Sequence, residues 1–366
     1  MKSVIVIGGG IVGASTAYLL SREGAAVTLV ESREIGGGAT AAGMGHIVVM
    51  NESPAEFAFT KYARALWDEL AREFAGDFDY TRTGTLWVAV DEEEMAHVRP
   101  LCAFYLANGV EAELLDARQV AEAEPQLRRD VVGALRVPGD AVVFAPAAAK
   151  RLAQFAELVS GRVVRLAENE VELANGEVMR ADAIVCANGF ETKDFFPHLA
   201  LRPRKGHLAL AVGYEGFLTH DLIELGYLKS AHGDAQESVA FNVQPRREGR
   251  LLLGSSRQYG VTDPAIEEHM MAKMLARVTE YLPALHAPKI ERTWTGFRAA
   301  TPDKLPYIGL APGMNSVYLA TGHEGLGITG ALATGALLRD QILERNCAID
   351  PSPFAPERAH PWQGTP

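Results

Sequence analysis

The chain is 366 residues long, with 48% apolar and 22% charged residues and a net charge of −11. That length suits about two domains with a large core, and the acidic balance, with no Lys/Arg block, argues against nucleic acid as a partner. Cys102, Cys186 and Cys347 are too few and too scattered for a disulfide framework, a zinc site or a protein-held iron–sulfur cluster, so no metal and a reducing, cytoplasmic setting are expected.

The first element is an apolar strand, Val4 to Ile7, that ends in Gly8-x-Gly10-x-x-Gly13. Helix-compatible sequence follows, then a second apolar run from Val27 to Val30 that stops at Glu31. Strand, tight turn, helix, strand and acid is the order of a dinucleotide-binding βαβ unit. Its glycines let backbone N–H groups approach a pyrophosphate at the positive end of the helix, and its acid accepts from a ribose. Lys2 before an apolar stretch has the look of a signal peptide, but no cleavage pattern follows. No uninterrupted apolar run reaches the ~18–20 residues of a membrane helix, so no transmembrane segment is expected; peripheral contact at the inner face of a membrane stays open.

A small-residue loop, Gly36 to Gly45, comes next, and Ser53-Pro54 opens a helix in which Phe57, Tyr62, Leu66 and Leu70 recur at helical spacing. Residues 84–90 read as a strand, 91–109 as a helix, and Pro146 to Val159 as another helix. From 162 to 180 the rhythm is that of short strands turning at Asn175-Gly176. Residues 183–187 then form a buried strand before Asn188-Gly189, and 206–213, 238–244 and 250–254 are further strands. A helix over about 265–281 precedes a last strand, 316–320, which runs into the glycine-rich turn Gly322-His-Glu-Gly325-Leu-Gly327 and a helix over 328–343. The βαβ unit needs parallel neighbours, and only 183–187 and 316–320 have the character of buried strands with glycine behind them. The nucleotide domain is therefore expected to be discontinuous, from 1–50, 145–200 and 296–345. Residues 51–144 and 201–295 would form a second domain on an antiparallel sheet, with 346–366 a C-terminal tail.

The fingerprint, the hairpin into IVCANG and the final strand into GHEGLGITGA together resemble the D-amino acid oxidase family of flavoproteins, along nearly the whole chain. This group includes glycine oxidase, sarcosine oxidase, D-amino acid dehydrogenases and the flavin subunit of hydrogen cyanide synthase. GHEGLGIT and TPDKLPYIG are most similar to the branch with the D-hydroxyproline dehydrogenases. The resemblance implies an α/β chain with a Rossmann-like, glutathione-reductase-like FAD domain and an α+β substrate domain. It implies that Gly8, Gly10, Val12 and Gly13 cradle the FAD pyrophosphate, and that Glu31 with Ser32 holds the adenosine ribose. Gly38, Thr40, Gly43, Met44 and Gly45 would pass along the pyrophosphate and ring, Val163 would bracket the adenine, and Gly189 would follow the central strand. Gly322, Gly325, Leu326, Gly327 and Ile328 would set amides at the pyrimidine end of the isoalloxazine, where a helix N-terminus stabilises the negative charge of reduced flavin.

By the same resemblance, Arg298 in Gly296-Phe-Arg-Ala-Ala-Thr-Pro-Asp303 would clamp the substrate carboxylate through its planar fork; a surface Arg paired with a nearby acid is the structural alternative. Relatives with covalent flavin use a His in the segment matching Gly37–Met44 or a Cys before TPD. Here Thr40 and Gly296 stand in those places, so FAD is expected to be non-covalent. Glycine oxidase carries an arginine where this chain has Gly325. His46 stands over the ring or packs as an ordinary side chain, while His323 reads as structural. Asn242, Gln244 and Arg257, on strands of the second domain, are pocket-ceiling residues or simple sheet-face polar groups; Tyr227 and Tyr259 are lid or carboxylate contacts. The expected chemistry is oxidation of a small D-, cyclic or secondary amino acid, first cis-4-hydroxy-D-proline or D-proline. Electrons would pass to a quinone or a partner subunit rather than O2. The alternatives are a glycine- or sarcosine-type oxidase and the flavin subunit of a larger dehydrogenase.

Overall fold

The computed structural model describes residues 1–226, 237–358 and 362. The chain divides into two compact units, one of residues 1–80, 143–204 and 297–366, the other of 81–142 and 205–296.

In the first unit Ser3–Ile7 is the central strand of a six-stranded sheet, with Ala26–Glu31 parallel on one side and Ala183–Cys186 parallel on the other. Val317–Thr321 continues in parallel beside Ala183–Cys186, and Glu157–Ser160 beside Ala26–Glu31. Tyr307–Leu310 closes one edge antiparallel. Val4, Val6, Ile184 and Cys186 are all buried, as strands covered on both faces must be. Helices Ile11–Arg22 and Ala331–Ile342 pack on each other closely enough that a Cβ at Gly335 would lie 3.0 Å from the Ser15 carbonyl. Val163–Ala167, Glu170–Leu173 and Val178–Arg180 form a small antiparallel sheet that turns at Asn175-Gly176.

Sequence and structure part in several places. The helix expected from Pro146 to Val159 ends at Ala153, and Glu157–Ser160 is an edge strand instead, because pairing with residues 28–31 completes a ladder that local propensity cannot foresee. Helix Pro54–Glu73 belongs to the first unit rather than the second. Its fully buried Trp67 donates from Nε1 to the Ile328 and Thr329 carbonyls at 3.1 and 3.0 Å, which ties it to the C-terminal turn. Residues 346–358, expected as part of a tail, also belong to that unit: Phe354 is buried against Phe59, with ring centroids 5.0 Å apart. The last helix begins at Ala331 rather than 328, after a short 3-10 turn over Glu324–Leu326.

The second unit is built on an eight-stranded sheet in the order Ile290–Ala300, Arg202–Val212, Arg250–Tyr259, Glu237–Arg246, Asp221–Glu224, Thr85–Ala89, Gly133–Val137, Glu113–Asp116. It is mixed, not antiparallel throughout: Asp221–Glu224 runs parallel to Thr85–Ala89. The chain leaves after residue 142 and re-enters at 205, so these neighbours are not joined by a hairpin, and a long crossover permits parallel pairing. Helix Glu268–Tyr281 covers the sheet with Met274, Val278 and Tyr281, and Tyr281 stacks on Phe241 with centroids 4.3 Å apart.

Candidate functional site

The turn after the first strand is made by close backbone packing. Gly8 has φ +104°, and a Cβ there would stand 2.7 Å from the Ala187 carbonyl; at Gly13 it would stand 1.9 Å from the Gly8 carbonyl. Gly10 caps helix Ile11–Arg22 with no side-chain hydrogen bond of its own. Thr40 does part of that work, because its buried hydroxyl accepts the Ile11 N–H at 2.9 Å. The Glu31 carboxylate accepts from Gly9 N–H at 2.6 Å and Arg33 N–H at 2.7 Å, which holds the acid beside the turn. Val12 is half-buried, and Ser32 is exposed beside Glu31. Gly161 donates to the Glu31 carbonyl at 2.9 Å, which sets the start of strand Val163–Ala167 next to it, while the Val163 side chain is buried in the core with Val30. Gly189 begins the 3-10 turn behind Ala183–Cys186, and its carbonyl accepts the Thr321 hydroxyl at 2.7 Å.

The structure brings two distant glycine-rich segments together. A Cβ at Gly43 would lie 2.6 Å from Cδ1 of Ile328, so the 38–45 loop touches the end of the 322–328 turn. Thr329 donates to the His46 carbonyl at 2.7 Å, and Val143 N–H to the Gly45 carbonyl at 2.8 Å. Gly38 is exposed and Met44 half-buried along the same loop. In the C-terminal turn Gly322 has φ +80°, and a Cβ there would meet Thr301 at 2.5 Å. Leu326 N–H closes the turn on the His323 carbonyl at 2.9 Å, and Gly327 stands beside His323. A Cβ at Gly325 would meet no atom within 4 Å.

His323 is structural, as its setting in sequence suggests. Its Nε2 lies 2.8 Å from the Thr334 hydroxyl, whose own proton goes to the Gly330 carbonyl, so Nε2 carries the imidazole proton. Burial lowers its pKa to about 3 and keeps the ring neutral. Sequence reasoning missed Trp67 and Thr329 as the ties between segments. The buried stripe of helix Pro54–Glu73 runs through Phe59, Ala63, Trp67 and Leu70, one phase away from the Tyr62 and Leu66 read from spacing.

Arg298 is half-buried on strand Ile290–Ala300. In the second unit Asn242 and Arg257 are buried on adjacent strands, and Asn242 Oδ1 has no hydrogen-bond partner among the described residues. Gln244 is absorbed by its sheet: it donates to Asp221 at 3.1 Å and accepts from Arg246 at 2.7 Å. Tyr259 ends strand Arg250–Tyr259, and Tyr227 lies outside the described residues. The three cysteines are free thiols, and Cys186 is fully buried, with its pKa pushed up to about 12. No described helix is long and apolar enough to cross a membrane.

A tight glycine turn at a helix N-terminus, an acid beside it and a second glycine-rich turn in contact with the 38–45 loop have the shape and donors that an FAD molecule would need. The Gly10 cap, which brings no side-chain acceptor of its own, and the open Gly325 are the observations that carry the fit. The family model described as FAD dependent oxidoreductase, DAO, matches residues 3–341. A glycine oxidase of Pseudomonas putida is 28% identical over 387 residues, covering 97% of this chain and 98% of that protein. A D-amino acid dehydrogenase of a Methylobacterium species is 28% identical over 429 residues, covering 97% and 98%. The crystal structure of glycine oxidase from Geobacillus kaustophilus superposes with a TM-score of 0.86 at 25% identity, covering 97% of this chain and 98% of that one.

Proposed function

This chain belongs to the DAO family of FAD-dependent oxidoreductases, and from that premise we propose that it oxidises the Cα–N bond of a small amino acid to the imine. FAD, bound non-covalently, supplies a two-electron acceptor for the Cα–H. The residues of the chain supply orientation. Arg298 binds the substrate carboxylate in a bidentate grip and fixes which face of Cα is presented. No side-chain base is assigned, because an amine that enters neutral has no proton to give up before the Cα–H leaves. The observation that carries the reading is the contact of Gly43 with Ile328, which joins the two segments that a flavin needs on its two edges.

The substrate we propose first is a secondary or cyclic amine, cis-4-hydroxy-D-proline or D-proline. A ring nitrogen fixes the Cα–H direction, so a carboxylate clamp and a shaped wall suffice to orient it. Gly325, where glycine oxidase carries arginine, supports this preference. Glycine or sarcosine is the second reading, favoured by the Pseudomonas putida relative named glycine oxidase and matched along nearly its whole length. Electrons then pass to a quinone or partner subunit in preference to O2. The test is anaerobic bleaching of the flavin by a panel of D-, N-methyl and cyclic amino acids, followed by re-oxidation with air or a quinone. Faster bleaching by the prolines supports the first reading, and bleaching by glycine at least as fast replaces it with the second. If no amino acid bleaches the flavin, amine oxidation is the wrong reaction.

A further inference from the structure

We propose that Arg204 and Glu324 form a positioning pair for the flavin: Arg204 pins Glu324 in the left-handed corner of the C-terminal turn and cancels its charge beside the edge where reduction adds negative charge. The inference rests on the reading that residues 322–328 hold the cofactor.

Glu324 is the corner residue of the turn and has φ +49°. A glutamate in that region costs on the order of 1 kcal/mol that a glycine would not. The chain has glycine at 322, 325 and 327 around it but glutamate at 324, where the side chain makes a bond that glycine could not. What it contributes is an ion pair: its carboxylate accepts from Arg204 Nη1, with the Glu324 side chain 19% exposed and that of Arg204 5% exposed. Arg204 ends a segment of the same unit as the turn, on the first residues of strand Arg202–Val212.

A pair this buried is a poor device for stability alone, since apolar residues of the same volume hold a fold as well or better. It does specify one geometry and one charge balance. The surroundings make that balance matter. Glu52 is neutralised by Lys304 at 2.8 Å, and Glu56 is buried in the same neighbourhood. Burial pushes the Glu56 carboxyl up to about 7, with the charges of Glu52 and Glu324 adding to the effect and Lys304 opposing it. Removing the Arg204 cation would make the turn one charge more negative, in a setting screened far less than solvent.

The pair is tested by its sign. Parent, Glu324→Gln, Arg204→Met, Arg204→Lys and the double variant Arg204→Met/Glu324→Leu are reconstituted with FAD. Each is measured for FAD affinity, for flavin midpoint potential against reference dyes, and for thermal unfolding. Glu324→Gln leaves the Arg204 charge and shifts the potential upward; Arg204→Met leaves the Glu324 charge and shifts it downward. The double variant returns toward the parent, and Arg204→Lys stays close to it with weaker FAD binding. A purely structural role would lower stability in all the variants without opposite potential shifts. If Arg204→Met does not fold, Glu324→Gln decides: FAD-bound protein with an unshifted potential overturns the proposal. A parent protein that takes up no FAD overturns the cofactor reading itself, and the pair's role with it.

Discussion

The two glycine-rich turns of the first unit reach similar ends by different physics. At Gly8–Gly13 the backbone is so closely packed that a Cβ would overlap the Gly8 carbonyl at 1.9 Å. At Gly322–Ile328 one glycine is open to 4 Å, and shape comes from side chains instead: His323 on Thr334, Glu324 on Arg204, and Trp67 on the carbonyls of 328 and 329. A turn held by backbone packing tolerates no substitution at its crowded positions. A turn held by side-chain ties can be retuned one tie at a time.

The largest effect is expected away from both turns, and it isolates chemistry from cofactor holding. Arg298→Leu should lower kcat/KM by roughly 10²–10⁴-fold while leaving the flavin spectrum nearly intact, and Arg298→Lys should recover only part, because an ammonium lacks the fork. Unchanged kinetics would make Arg298 an ordinary strand residue. Next comes Gly13→Ala, which should destabilise the protein by ~1–3 kcal/mol and abolish FAD retention, because the helix must move off the strand. Retained yellow colour after desalting would show that the first turn is less rigid than its packing implies. Glu31→Ala should weaken FAD binding by about 1–3 kcal/mol, the cost of a lost charged acceptor, and isothermal titration of apoprotein measures it.

The second turn gives smaller and more conditional effects. His323 has a folded pKa of about 3 against an ordinary 6.5, so the unfolded chain binds a proton that the folded one refuses. Its contribution is complete above about 6.5 and is lost as pH falls toward 3. Replacement by Gln, which keeps a donor for Thr334, should flatten that part of the pH dependence of urea unfolding between pH 7 and pH 5. An identical slope in the variant would assign the acid sensitivity to other groups. The smallest effect is Gly325→Ala, expected to change stability by less than ~0.5 kcal/mol because the new methyl meets no atom of the protein. A large loss of FAD affinity there would mean that the cofactor itself lies against Gly325.

Much of the scaffold was legible because its signals are local. The alternation of strand, glycine turn and helix over residues 3–31, the hairpin at Asn175-Gly176 and the buried run 183–186 each carry their pattern within a few residues. The failures lie where a pattern is satisfied by two arrangements. Helix Pro54–Glu73 has the right period, but spacing alone did not reveal that the Phe59–Trp67 stripe rather than Tyr62 and Leu66 would be covered. Glu157–Ser160 is four residues whose strand character exists only beside Ala26–Glu31.

By itself the sequence determined that residues 1–31 form a dinucleotide-binding unit, because glycine spacing and an acid at the end of the second strand are covalent facts that any fold must accommodate. It also marked residues 183–187 and 316–320 as the parallel neighbours of that unit, since those runs have the character of strands buried on both faces. The contact of Gly43 with Ile328, the tie of Trp67 to the final turn and the pairing of Arg204 with Glu324 were decided by tertiary structure alone. These join residues 120 to 285 positions apart, and nothing in either partner's neighbourhood specifies the other. Their partners are chosen by packing of the whole unit, where a buried charge or indole N–H must find whichever acceptor the fold has brought within reach.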